Sequence, residues 1–207
     1  MSKLIRVRKA TGRPHPNLSV PASFYDRPTE DVARDLLGAV LEHRTAEGVV
    51  RGRIVETEAY LGPHDPACHA AAGLTARTRT LHGPPGTAYV YFIYGMHWCF
   101  NTVTREEGYG SAVLVRALEP LSGLDLMRRR RGVERDGELT SGPARLCDAF
   151  AITRQQDGAS LQRGALRILR GLDVPDEDVV IGPRVGIRKA ADWPLRFHIR
   201  GNRFVSK

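Results

Sequence analysis

Two β-rich runs, 87–93 and 97–104, flank the tripeptide Tyr94-Gly95-Met96. Aromatic and β-branched residues fill both runs and a glycine sits at the reversal, the pattern of a β-hairpin. Strand-like segments surround it at 39–43, 49–57 and 112–117 and, more briefly, near 166–169, 179–181, 185–187 and 195–199. Helices are fewer. One opens at Thr29-Glu30-Asp31, read as a capping hydroxyl followed by acids that suit the helix dipole, with Val32, Leu36 and Leu37 on its apolar face. A second spans 121–131, and a third starts at Ser141-Gly142-Pro143, with proline in its first turn. This order predicts an α+β fold: one domain on a curved, mostly antiparallel sheet with flanking helices and a protruding hairpin. A loop rich in Gly, Pro, Thr and Arg fills 61–85, and loops that long are usually functional or disordered.

Charge is unevenly placed. Residues 1–13 hold five basic residues and no acid, and 182–207 hold seven basic residues against Asp192 alone. Basic ends on a near-neutral body suit a polyanionic partner, because neutralising phosphates releases counterions; they equally suit simple solubility. Residues 1–20, punctuated by Gly12, Pro14 and Pro16, read as a basic flexible arm, and 21–207 as the single domain. The three cysteines, Cys68, Cys99 and Cys147, lie far apart with no CxxC pair, which argues against a disulfide framework and a structural zinc site. His64-Asp65-Pro66-Ala67-Cys68-His69 has ligand-type residues but no second ligand pair elsewhere, so no metal is expected. The basic start is followed by no apolar signal core, and the most apolar stretch, 88–100, is too short to span a bilayer. A cytoplasmic protein without membrane partners is expected.

Three groups of residues could carry chemistry. Glu56 and Glu58 alternate on one face of a strand, next to Tyr60 and a loop histidine, His69. A carboxylate so placed can serve as a general base, or it can belong to a solvated strand face. Tyr89 and Tyr91 share a face and can stack on bases or fill a core. Tyr94, at the tip, can wedge between base steps. Asn101 and Arg116 lie within strands and need polar partners if buried. The arginine run 128–131 reads as surface at a helix end.

Several long motifs occur in order. They are 53–63 (RIVETEAYLGP), 83–96 (GPPGTAYVYFIYGM), 116–120 (RALEP), Ser141-Gly142-Pro143 with Leu146-Cys147, and 183–187 (PRVGI). Over about 36–206 the chain resembles the alkyladenine (3-methyladenine) DNA glycosylases. The resemblance implies a monofunctional DNA glycosylase of base excision repair, acting without a cofactor on double-stranded DNA that contains damaged purines. In this role Glu58 matches the general base that activates water. Tyr60 and Tyr91 match the aromatics that sandwich a flipped base, His69 the histidine at its edge, and Asn101 the asparagine that disfavours guanine's exocyclic amino group. Tyr94 matches the residue inserted into the minor groove, Met96 its neighbour, Arg116 a phosphate-contacting arginine, and Ser141 a position on a DNA-facing loop. 3-Methyladenine and 7-methylguanine are the implied substrates. His64, Ala76, Thr78, Leu81, His82 and Trp98 depart from the family pattern near the lesion loop, which bears on hypoxanthine and 1,N6-ethenoadenine. No lysine lies beside Glu58, so neither a Schiff base nor strand nicking is expected. A monomer is expected.

Two rival readings belong to other classes. A non-catalytic nucleic-acid-binding module, resembling the C-terminal domain of methionyl-tRNA formyltransferase, would need the basic surface but not Glu58. A hydrolase of free nucleosides or glycosides would call for paired carboxylates at a set separation, or a metal.

Overall fold

A computed structural model describes residues 18–206. The basic arm assigned to 1–20 therefore lies outside the described residues except for its last three. Those three are tied down: Ser19 bridges to Leu169, and the Val20 amide donates to the Ile168 carbonyl at 2.9 Å.

The described residues form one α+β unit around an open, antiparallel, eight-stranded sheet. Helices α1 (Ala22–Tyr25) and α2 (Thr29–Asp35) come first, then β1 (Val40–Thr45) and β2 (Gly48–Tyr60). The hairpin follows as β3 (Ala88–Ile93) and β4 (His97–Thr104), then β5 (Ser111–Ser122), α3 (Leu124–Arg131) and α4 (Pro143–Phe150). Strands β6 (Leu166–Leu169), β7 (Val179–Gly182) and β8 (Arg196–Ile199) complete the sheet. The main path runs β3-β4-β5-β2-β1-β6, and β8 pairs with both β2 and β7. No helix among the described residues is long and apolar enough to cross a membrane.

Strand β2 organises the molecule. Along one edge it pairs with β5; along the other, its first half pairs with β1 and its second half with β8 through Glu56, Thr57 and Glu58. Such a strand is shielded on both edges, and from Ile54 to Ala59 every side chain is buried. Gly52 lets helix α4 approach: a Cβ there would stand 2.9 Å from Leu118 Cβ and 3.1 Å from the Phe150 ring. The core between sheet and helices contains Leu36, Leu41, Ile54, Phe100, Leu118, Met127, Leu146 and Phe150, all buried. Burial of this kind supplies the main favourable term in folding.

Three local expectations need correction. Thr29 does not cap α2; it is the first helical residue after Pro28, and its hydroxyl lies 3.0 Å from that of Thr104. The helix expected from residue 121 begins at Leu124, because β5 runs on to Ser122 and Gly123, with φ +78°, makes the corner. Proline fits inside β5 because Pro120 sits beside a register shift against β2. Residues 185–187 form no strand; Gly186 there has φ +79°. The loop 61–85 is ordered by short 3-10 turns at His69–Ala72 and Thr80–His82, and by buried Asp65 and Thr78, whose side chains bond loop backbone.

Candidate active site

A cavity of about 330 Å³ opens where β2, the hairpin, the 61–85 loop and the segment around Val185 meet. Tyr60, His69, Tyr89, Tyr91, Asn101 and Arg116 all line it. The tyrosines come from strand alternation: Tyr89 and Tyr91 share one face of β3, with ring centroids 5.4 Å apart. The His69 ring stands edge-on to Tyr91 at 4.5 Å, and its Nδ1 lies 2.9 Å from the Tyr89 hydroxyl. Burial first, and then the charge of Arg77, push the His69 imidazole below its ordinary pKa. Asn101 is buried and donates from Nδ2 to the Tyr89 carbonyl at 3.0 Å. Tyr89 therefore serves as a structural wall of the cavity as well as one of its rings.

Glu58 is fully buried and lies one hydrogen bond behind the wall. Its Oε1 accepts the Val185 amide at 2.7 Å and its Oε2 accepts the Tyr60 hydroxyl at 2.9 Å. Arg116 Nη1 lies 3.3 Å from Oε1. Tyr60, Val185 and Arg116 all face the cavity. Burial pushes the Glu58 carboxyl above its ordinary pKa, and the Arg116 charge, the Val185 amide and the Tyr60 phenol only partly offset it. A carboxylate with that tendency is a stronger base than one on a solvated strand face, and full burial rules out the solvated face for both Glu56 and Glu58.

The remaining expected residues lie outward. Tyr94 is 77% exposed at the hairpin tip with φ +55°, and Met96 is 66% exposed beside it. A large aromatic held in solvent by a left-handed turn contributes nothing to the core, so it is available to a partner. Ser141 borders a second cavity of about 490 Å³, shared with Arg145, Arg203 and Ser206, and Arg116 walls both cavities. The Ser141 hydroxyl donates to the Gly137 carbonyl at 2.7 Å and accepts from Arg145 Nη1 at 3.0 Å. Arg116 itself is nearly buried.

Sequence reasoning gave no role to Arg184, Asp65 or Val185. Arg184 belongs to the basic end by sequence, but it is buried and grips Asp65 with two bonds, 2.5 and 2.9 Å. Its guanidinium also lies 4.7 Å from the Tyr60 ring centroid. Arg196, from the same basic segment, bonds Glu56 at 2.6 Å. Arginines 128, 130 and 131 are likewise engaged, by Asp125 and Asp136, Glu47, and Asp148. The positive surface is thus smaller than the residue count implies.

Comparison with known proteins identifies the family. The family model described as methylpurine-DNA glycosylase matches residues 23–203, and with them the whole cavity wall. The chain belongs to the methylpurine-DNA glycosylase family. Relatives named "Putative 3-methyladenine DNA glycosylase" agree along nearly their whole length. The protein from Methanoculleus marisnigri is 52% identical, covering 92% of this chain and 100% of its own. That from Myxococcus xanthus is 50% identical over 91% and 93%, and that from Carboxydothermus hydrogenoformans 47% over 91% and 98%. Membership makes this chain a DNA glycosylase, a repair enzyme that hydrolyses N-glycosyl bonds, with DNA as its substrate partner.

Proposed function

We propose that this glycosylase is monofunctional and releases alkylated purines, 3-methyladenine and 7-methylguanine among them, by attack of a Glu58-activated water at C1′ of the deoxyribose. The observation that carries the reading is Glu58: a buried carboxylate, biased toward accepting a proton, hydrogen-bonded to Tyr60 and Val185 and ion-paired with Arg116, all three in the wall of an aromatic cavity. Flipping takes the damaged nucleotide out of the stack, at a cost of a few kcal/mol, roughly, that falls for weakened pairs. Tyr94 fills the space left behind, with Met96 beside it. Tyr60, Tyr91 and His69 then hold the base. Alkylation at N3 or N7 makes the purine cationic, which favours π faces and improves the leaving group. As the glycosyl bond breaks, the sugar gains oxocarbenium character that the Glu58 charge stabilises, and the carboxylate takes the water's proton. The products are free base and an abasic site in an unbroken strand.

In this reading Arg116 serves Glu58 first, and phosphate contact falls mainly to the face around Ser141, Arg145 and Arg203. Asn101, bonded to the Tyr89 carbonyl, sets the polar edge of the cavity against guanine's amino group. A low imidazole pKa suits His69 to a neutral role beside a cationic base.

The test is release of base from duplex oligonucleotides, each carrying one 7-methylguanine, 3-methyladenine analogue, hypoxanthine or 1,N6-ethenoadenine, by wild type and Glu58→Gln. Release by wild type alone, with strand breaks only after alkali, is expected. A folded, DNA-binding wild type that releases none of them would instead favour a binding module. Breaks before alkali would exclude the monofunctional reading.

A further inference from the structure

The second carboxylate of strand β2, Glu56, has no part in the reaction as described, yet it is fully buried and more heavily bonded than Glu58. Its Oε1 accepts Arg116 Nε at 3.1 Å, Arg196 Nε at 2.6 Å and the Ser206 hydroxyl at 2.9 Å. Its Oε2 accepts the Ser206 amide at 2.7 Å. Arg116 is correspondingly used on every nitrogen: Nε on Glu56, Nη2 on the Ser206 hydroxyl at 3.2 Å, and Nη1, at 3.3 Å, on Glu58. An unconstrained arginine beside a carboxylate tends to form two parallel bonds, which are shorter and stronger. Here the guanidinium is turned so that Glu58 receives one long contact.

We infer that Glu56 is a positioning residue for the glycosylase reaction: with Ser206 it holds Arg116 in a pose that gives Glu58 a single contact and so preserves the basicity of Glu58. Two effects act in the same direction. Glu56 diverts Arg116 from a two-bond grip on Glu58, and its own negative charge disfavours a second charge two residues along. The groups facing Glu58 are Tyr60 and Glu56 from β2, Arg116 from β5, Arg196 opposite it on β8, Cys99 from β4 and Arg184 beside Val185. Of these, only Glu56 carries a full negative charge at neutral pH. Burial resists ionisation of Glu56, but the Ser206 amide, Arg196 and Arg116 overcome it and hold its pKa below the ordinary value. Glu56 therefore stays charged across the pH range in which Glu58 titrates.

The inference rests on Glu58 being the base, and the experiment separates the two. Single-turnover release of 7-methylguanine from a duplex is followed against pH for wild type, Glu56→Gln, Glu56→Asp, Ser206→Ala and Glu58→Gln. Glu56→Gln is expected to move the acid limb to lower pH by about one unit or more and to lower the plateau rate. Glu56→Asp, which keeps the charge, holds the limb near its wild-type position. Ser206→Ala frees Arg116 Nη2 and shifts the limb the same way by less; it supplies the answer if Glu56→Gln does not fold. A lowered plateau with an unmoved limb in both Glu56→Gln and Ser206→Ala would show a purely structural Glu56, as would a limb that moves upward. If Glu58→Gln retains release and its acid limb, the base assignment itself fails, whatever the Glu56 variants do.

Discussion

The phenol of Tyr60 donates a 2.9 Å hydrogen bond to Oε2 of Glu58, two residues back along the same strand. A single side chain thus meets the aromatic cavity with its ring and the buried carboxylate with its hydroxyl. A bond to the ionised carboxylate lowers that group's pKa, so Tyr60→Phe removes a brake on proton uptake. The expected result is an acid limb for base release displaced to higher pH by up to about one unit, opposite to the shift expected for Glu56→Gln. The ring, and with it the stacking surface, stays in place. Release measured against pH on one lesion checks both the sign and the size.

Asp65→Asn should be among the most damaging single changes outside the hydrophobic core. It leaves Arg184 charged, buried and half-unpartnered, and breaking a buried pair on one side costs about 3 kcal/mol or more. The Asp65 carboxyl is pushed up by burial, but Arg184 and the Ala67 and Leu61 amides bring it below its ordinary value. A depressed folded-state pKa contributes stability that is complete above the unfolded value, about 3.9, and lost as pH falls through the folded one. Thermal unfolding of wild type and variant should therefore differ most near neutrality and converge in acid.

Tyr94→Ala should leave stability within about 0.5 kcal/mol of wild type, because the side chain packs against little. Base release at limiting enzyme should fall roughly tenfold or more, the scale of one lost stacking contact. Affinity for undamaged duplex should barely change. Gel-shift and release assays on matched duplexes check this, and equal losses in both would remove the wedge role.

Duplex binding should weaken steeply with salt, with log affinity falling linearly in log salt at a slope of about 0.9 per neutralised phosphate. Arg145→Ala or Arg203→Ala, at the second cavity, should reduce that slope by about one. A titration of fluorescent duplex at several salt concentrations reads it directly, and an unchanged slope in both variants would place the phosphate contacts elsewhere.

What the sequence made legible was local. Alternation placed Glu56 with Glu58 and Tyr89 with Tyr91, and both pairs share a face as expected. Gly95 marked the hairpin reversal, and Pro143 the start of α4. What stayed hidden was the identity of partners far along the chain. Arg184 looked like one more cation facing a polyanion, because nothing near residue 184 reveals that Asp65, 119 residues earlier, closes on it. Arg116 needed a partner by its position inside a strand, but Glu56, 60 residues away, became visible only in the fold. Segment 183–187 carries β-branched residues in a strand-like alternation, yet Gly186 turns the backbone and frees the Val185 amide for Glu58.

Strand β2 carries Glu56 and Glu58 in its most shielded stretch and Tyr60 at its end, while Cys68, His69 and Leu81 reach the cavity from the loop that follows it. This split separates what can drift from what cannot. A change on the strand disturbs ladders with β5 and β8 together with the ion pairs, so the proposed hydrolytic apparatus has little room to vary without loss of the fold. A change on the loop reshapes one side of the cavity and leaves Glu58 and its supports in register. New lesion preferences in this lineage should therefore arise by loop substitution, each variant inheriting the same chemistry.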